Sequence, residues 1–121
     1  MRILIAEDIE DTRYLMKLLL QRRGHTVLEA ENGESAVECA LREQPDLILM
    51  DLSMPVMDGL AATRSIRRRE TGRIPIVAVS AHLADPAWRE RALRCGCDYC
   101  CTKPLDFEAL DDLLAVGAKP H

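Results

Sequence analysis

Five side chains in this sequence have the types and positions to do chemistry together. They are the adjacent carboxylates Glu7 and Asp8, the carboxylate Asp51, the hydroxyl of Ser80 and the ammonium of Lys103. Each stands at the carboxyl end of a short aliphatic run. Carboxylates held close together repel strongly where the dielectric is low. Three of them need a compensating cation, and a hard divalent ion with oxygen ligands supplies it. One or two carboxylates plus water suit Mg²⁺ better than Ca²⁺, which takes a fuller cage. Lys103 adds a fixed positive charge opposite such an ion. A site of this kind accepts an anion with several oxygens, and a phosphoryl group is the natural guest.

Taken singly, each residue has an ordinary explanation. Asp8 could cap a helix, Ser80 could be a plain strand-end hydroxyl, and Lys103 could be a solvated lysine. Their shared position carries the reading, so the elements that position them matter. The runs Ile3–Ala6, Thr26–Leu28, Leu47–Met50 and Ile76–Val79 read as strands, as does the less regular Tyr99–Cys101. Three of the first four are continuously apolar, as strands buried on both faces of a parallel sheet are.

Helical segments lie between them. Leu15, Leu18, Leu19 and Arg22 recur at helical spacing, with Gly24 as a stop. Asn32 can cap a helix running toward Gln44, with Pro45 just beyond. Asp58 can cap a third, with Gly72 past its end. Asp85 followed by Pro86 opens a fourth, which Gly96 closes. Asp106 can cap a last helix through Leu114. The pattern is βα repeated five times, which implies a parallel sheet covered on both faces. Ligands of such sheets bind beyond the carboxyl ends of the strands, where the five chemical residues are expected to meet.

Composition narrows the function. The chain has 121 residues, enough for one domain. A net charge of −4 argues against a general nucleic-acid or membrane-surface binder. Arg64, Arg67, Arg68 and Arg69 form a local basic cluster that reads as a solvated helix face. Only 3% of residues are aromatic, too few for base-stacking platforms. No secretory or membrane-spanning stretch follows Met1, so a cytoplasmic location is expected. In a reducing compartment the five cysteines read as thiols rather than bridges. For Cys95, Cys97, Cys100 and Cys101, packing is favoured over a zinc or redox role, because alternation points Cys100 and Cys101 to opposite sides.

The segments Ile3-Leu4-Ile5-Ala6-Glu7-Asp8, Asp51-Leu52-Ser53-Met54-Pro55-Val56-Met57-Asp58-Gly59, Val79-Ser80-Ala81 and Thr102-Lys103-Pro104 resemble the signature segments of bacterial response-regulator receiver domains. The resemblance covers nearly the whole chain. It implies a flavodoxin-like, doubly wound five-stranded parallel sheet in the order 2-1-3-4-5, forming one receiver domain over 1–121 with 118–121 as a frayed tail. It implies that Asp51 is the phosphoacceptor. It also implies that Asp8, Asp51 and the backbone carbonyl of Ser53 bind Mg²⁺, with Glu7 acting through a metal-bound water. Lys103 would contact a phosphoryl oxygen, and its bond to Pro104 would be cis. Ser80 would donate to the phosphoryl group, and the small Ala81 would leave a path to it. Ser53 and His82 occupy positions that in this family tune the lifetime of the phosphoryl group, and His82 could equally be a solvated loop histidine.

The implied partners are a sensor histidine kinase or histidine phosphotransfer protein as donor and an unidentified protein as target. Neither nucleic acid nor membrane is expected, and the state expected is a monomer or weak dimer. No output domain follows the fifth helix, so output by protein contact or relay is expected. Catalysis is expected to be confined to the chain's own phosphorylation and dephosphorylation.

Cys100 departs from the family pattern, which places Tyr or Phe there as an inward-turning switch. Tyr99 lies one residue earlier and on the other side of the strand, so it is not expected to substitute. Phosphorylation is then expected to move the loop after Ser80 without an aromatic flip at Cys100.

Two other readings compete. A phosphatase of outside substrates would carry a second Asp two residues after Asp51, where Ser53 stands. A phosphorylation-independent interaction module of the same fold would show gaps in the acidic cluster. No glycine-rich nucleotide motif follows any strand.

Overall fold

The computed structural model describes residues 1–103, 105 and 107–117. Strands and helices alternate as β1 (Arg2–Ala6), α1 (Glu10–Arg22), β2 (Thr26–Ala30), α2 (Gly33–Glu43), β3 (Leu47–Asp51), α3 (Gly59–Arg69), β4 (Ile76–Val79), α4 (Pro86–Cys95), β5 (Tyr99–Cys101) and α5 (Phe107–Gly117). A short 3-10 turn, Ala81–Ala84, separates β4 from α4. All strand pairs are parallel, in the order β2-β1-β3-β4-β5. The sheet is thus the expected doubly wound one. Pro104, Asp106 and residues 118–121 lie outside the described residues, and with them the cis bond, the last cap and the frayed tail.

Alternation along the strands splits the core into two layers. Leu4, Ala6, Ile48, Met50, Ile76 and Ala78 pack with Ala36 and Ala40 of α2, Leu60 and Ile66 of α3 and Ala92 of α4. Ile3, Ile5, Leu47, Leu49, Val77 and Val79 pack with Met16 and Leu20 of α1 and Leu114 of α5. The β1, β3 and β4 runs are continuously apolar because both their faces are covered. Edge strand β2 is only partly buried, as its Thr26 and Glu29 show.

The expected caps form. Asn32 Oδ1 accepts the Ser35 N–H at 2.8 Å, Asp58 Oδ1 the Ala61 N–H at 2.9 Å, and Asp85 Oδ1 the Ala87 N–H at 2.9 Å. The first helix corrects the sequence reading. Leu15 is 58% and Leu18 37% exposed, while Met16 and Leu20 are buried. The run Leu15-Met16-Lys17-Leu18-Leu19-Leu20 is apolar on more than one face, so periodicity alone does not select the buried one.

The basic cluster on α3 is also not uniformly solvated. Arg64, Arg68 and Arg69 are exposed, but the Arg67 side chain is only 13% exposed. It donates to the Gly96 and Ile74 carbonyls at 2.9 and 2.8 Å and pairs with Glu70 and Asp98. Arg67 therefore ties α3 to the turn that leads into β5 and so helps to place Lys103.

Cys100 packs in the Leu4 layer, whereas Tyr99 and Cys101 pack in the Ile3 layer. The two cysteines thus lie on opposite faces of β5. Burial pushes the Cys97 thiol up to about 11. At pH 8 only about one Cys97 in a thousand is then a thiolate. Alkylation of the folded protein at pH 8 is expected to label the half-buried Cys95 well before Cys97. Peptide mass mapping checks this, and equal labelling rates would contradict it.

Candidate functional site

The strand order places the carboxyl ends of β1, β3, β4 and β5 side by side. Glu7 and Asp8 follow β1, and Asp51 is the last residue of β3. Oxygens from Glu7, Asp8 and Asp51, one from each carboxylate, all lie within 4.8 Å of one another. Glu7 is 1% and Asp51 5% exposed; Asp8 is the most open of the three. Lys103 reaches in from beyond β5, its Nζ standing 2.6 Å from Glu7 Oε1 and 3.3 Å from Asp51 Oδ2. Its shorter contact is to Glu7, a pairing the sequence reading did not contain.

Burial opposes the ammonium charge of Lys103. The hydrogen bond to Glu7 and the charges of Asp51 and Glu7 outweigh that penalty and hold its pKa above the ordinary lysine value. A value raised by folding adds stability below the unfolded lysine pKa and loses it only as pH climbs through the folded one. Across the neutral range the triad therefore keeps its cation.

Local structure aims these groups. Asp51 Oδ1 accepts the Ser53 N–H at 3.0 Å, which turns the chain sharply after β3. Val56 in the following loop has φ +68° and is 78% exposed. A β-branched residue in the left-handed region costs about 1–2 kcal/mol, so the loop holds a strained shape beside the acidic cluster. Gly59 opens α3 against the end of β3, its N–H donating to the Leu52 carbonyl at 3.3 Å. A Cβ on Gly59 would collide with the Asp51 carbonyl oxygen. The glycine after Asp58 is thus required by a close approach of two backbones.

Ser80 directly follows β4 and is 3% exposed. Its N–H donates to the Cys101 carbonyl at 3.2 Å, and its carbonyl accepts the Lys103 N–H at 3.3 Å. The hydroxyl residue and the lysine are thereby fixed to each other through main chain. Ala81 and His82 are exposed on the turn beyond. Cys100 does not reach the site; it packs beneath, in the Leu4 layer. A hollow of about 420 Å³ lies at the opposite edge of the sheet, between Gln44, Pro45, Arg69 and Pro75, and shares no residue with this cluster.

The donors present fit a hard divalent cation. All are carboxylate oxygens, two of them nearly buried, converging from the ends of two strands. Among the described residues, no other His, Cys, Asp or Glu trio converges this way. Two of these carboxylates, Glu7 and Asp51, also face the lysine, so an anion bound at Asp51 would meet the lysine on one side and such a cation on the other.

A doubly wound sheet bearing an acidic, lysine-braced cleft at its carboxyl edge defines a class of domain built to bind a metal ion and an oxyanion together. The chain belongs to the response regulator receiver domain family, whose model matches residues 3–115. It is a receiver domain of two-component signalling. It is 39% identical over 112 residues to the protein PilH of Pseudomonas aeruginosa, covering 90% of each chain. It is 32% identical over 119 residues to the chemotaxis protein CheY of Halobacterium salinarum, covering 95% of this chain and 98% of that protein. Other relatives are longer: the chain spans 30% of a protein-glutamate methylesterase of Hahella chejuensis and 7% of a hybrid histidine kinase of Dictyostelium discoideum. Among solved structures, it superposes with a TM-score of 0.87 and 36% identity on the receiver domain of a Pseudomonas aeruginosa sensor histidine kinase, covering 95% of this chain and 94% of that one. That structure has a magnesium ion coordinated in its active-site cleft.

Proposed function

We propose that Asp51 is the phosphoacceptor and that Mg²⁺ is held by Asp8, Asp51 and the backbone carbonyl of Ser53, with Glu7 acting through water. The observation that carries this reading is the convergence of three carboxylates on a lysine 2.6 and 3.3 Å from two of them. The carboxylate of Asp51 attacks phosphorus, and the donor's leaving group departs on the far side. The metal ion, when bound, neutralises carboxylate charge and draws negative charge off the phosphoryl oxygens. Lys103 stabilises an equatorial oxygen in the transition state and in the acyl phosphate product. Ser80 donates to another oxygen, and Ala81 leaves the approach open. Ser53 and His82 flank the path of a hydrolytic water and set how long the group persists. Catalysis is limited to this gain and loss of the chain's own phosphoryl group.

The donor is read as a sensor histidine kinase or a histidine phosphotransfer protein. Ile9, just before α1, and Tyr14 and Leu15 on its first turns are each more than half exposed, and all follow Asp8 closely. Apolar groups exposed beside a charged cleft suit a protein donor better than a small one. Output then passes to a further protein, from a monomer or weak dimer in the cytoplasm. Among the described residues no helix is long and apolar enough to cross a membrane.

Incubation with acetyl phosphate and Mg²⁺ is expected to add the mass of one phosphoryl group, and a chelator is expected to prevent it. An unchanged mass would sink the proposal. Mg²⁺ alone is expected to raise the melting temperature, because a ligand at ten times its Kd stabilises by about 1.4 kcal/mol. Asp8→Asn is expected to remove most of that shift; an equal shift in the variant would exclude Asp8 as a ligand.

A further inference from the structure

Ser80 does something besides following β4. Its Oγ accepts the His82 N–H at 3.1 Å and so starts the turn Ala81–Ala84. The Ser80 main chain is fixed by bonds to Cys101, Leu83 and Lys103, so only the hydroxyl is free to rotate between staggered positions. The His82 ring stacks on Trp88 of α4, with centroids 4.9 Å apart and planes inclined by 21°. The Arg91 guanidinium stands 4.4 Å from the Trp88 centroid, one helical turn further on. Trp88 is half-buried and packs against the same core layer as Cys100. On this flank of the sheet the aromatic bulk is therefore on α4, and the strand contributes only a thiol.

We propose that the His82–Trp88–Arg91 stack is the conformational readout of phosphorylation in this chain. The inference rests on the reading of Asp51 as acceptor. When Ser80 Oγ turns to donate to a phosphoryl oxygen on Asp51, it leaves the His82 N–H. A hydrogen bond to a charged oxygen is about twice as strong as one between neutral groups, so the exchange is favourable. The turn Ala81–Ala84 loses its side-chain cap and is held at this end only by the Leu83 N–H on the Ser80 carbonyl. His82 moves with the turn, its ring leaves Trp88, and a face of the indole opens on α4. The change at Asp51 thus reaches the surface of α4 through one hydroxyl and one ring stack, with Cys100 unmoved.

Trp88 is the sole tryptophan, so tryptophan emission reports the surroundings of this one ring. Emission and intact mass are measured on the same samples, with Mg²⁺ alone and with Mg²⁺ plus acetyl phosphate. Wild-type emission is expected to brighten and shift to the red in proportion to the phosphorylated fraction, because imidazole quenching is lost and the indole meets water. Ser80→Ala, compared per phosphorylated molecule, is expected to show no change on phosphorylation. Ser80→Thr keeps the hydroxyl and is expected to keep the response. His82→Ala is expected to be bright from the start and to stay so. A rise in wild-type mass with unchanged emission would overturn the inference while leaving Asp51 as acceptor. A full emission response in phosphorylated Ser80→Ala would overturn it as well. No rise in mass would remove the acceptor reading and the inference together.

Discussion

Lys103→Met is expected to lower stability by about 2 kcal/mol and to slow phosphorylation by roughly two to three orders of magnitude. The substitution keeps most of the unbranched side chain and deletes the ammonium. Glu7 and Asp51 are then left at 1% and 5% exposure with no cation between them. Removing one partner of a buried ion pair costs about 3–5 kcal/mol. Lys103 keeps 26% of its side chain exposed, so solvent screening brings the expected loss below that range, to about 2 kcal/mol. Mg²⁺ is expected to recover part of the stability, because it restores positive charge to the same cleft. It is not expected to recover the rate, since no donor would replace the ammonium on the transferring group. Denaturation with and without Mg²⁺, together with the initial rate of phosphorylation, checks both parts. Wild-type stability without Mg²⁺ would show that the lysine does not balance the carboxylates.

Gly59→Ala is expected to destabilise the fold by about 3 kcal/mol, at the upper end of what overpacking costs. The new methyl would collide with the Asp51 carbonyl oxygen and come within 2.9 Å of the Asp51 carbonyl carbon and of Leu52 Cα. These are main-chain atoms of the strand end, so no rotamer change relieves the clash. Either α3 withdraws or the end of β3 shifts, and Asp51 moves with it. A misplacement of about 1 Å can cost a hundredfold in rate, so phosphorylation is expected to slow even where the protein still folds. Gly72→Ala is the control. A Cβ there meets nothing within 4 Å, and the change is expected to stay within about 0.5 kcal/mol. Urea denaturation of the two variants checks the contrast; equal stabilities would contradict the close approach of α3 to β3.

Much of this architecture is legible in the sequence because it is set by local chemistry. The runs Leu47–Met50 and Ile76–Val79 are too short and too apolar for surface helices. Asn32, Asp58 and Asp85 are capping types placed directly before helical periods, and each caps as its position predicts. Strand order and strand ends then bring Glu7, Asp8 and Asp51 together, although Asp8 and Asp51 are 43 positions apart.

What the sequence conceals depends on contacts between distant or crowded groups. The buried face of α1 is hidden by an apolar run with no single period. Arg67 looks like its solvated neighbours because its partner Asp98 lies 31 residues away. Lys103 reads as facing a phosphoryl site, and only the placement of β5 shows that Glu7 is its nearer partner. The stack of His82 on Trp88 has no periodic signal. It depends on how a four-residue turn folds back between Ser80 and the Asp85 cap.

The most direct test of the central claim locates the phosphoryl group. An acyl phosphate is reduced by borohydride to an alcohol, which converts a phosphorylated aspartate into homoserine. The protein treated with acetyl phosphate and Mg²⁺, then reduced and mapped by peptide mass spectrometry, is expected to carry homoserine at position 51 and at no other acidic residue. Asp51→Asn treated in the same way is expected to carry none. Homoserine at Asp8 or another position in the wild type, or undiminished labelling of Asp51→Asn, would contradict the account.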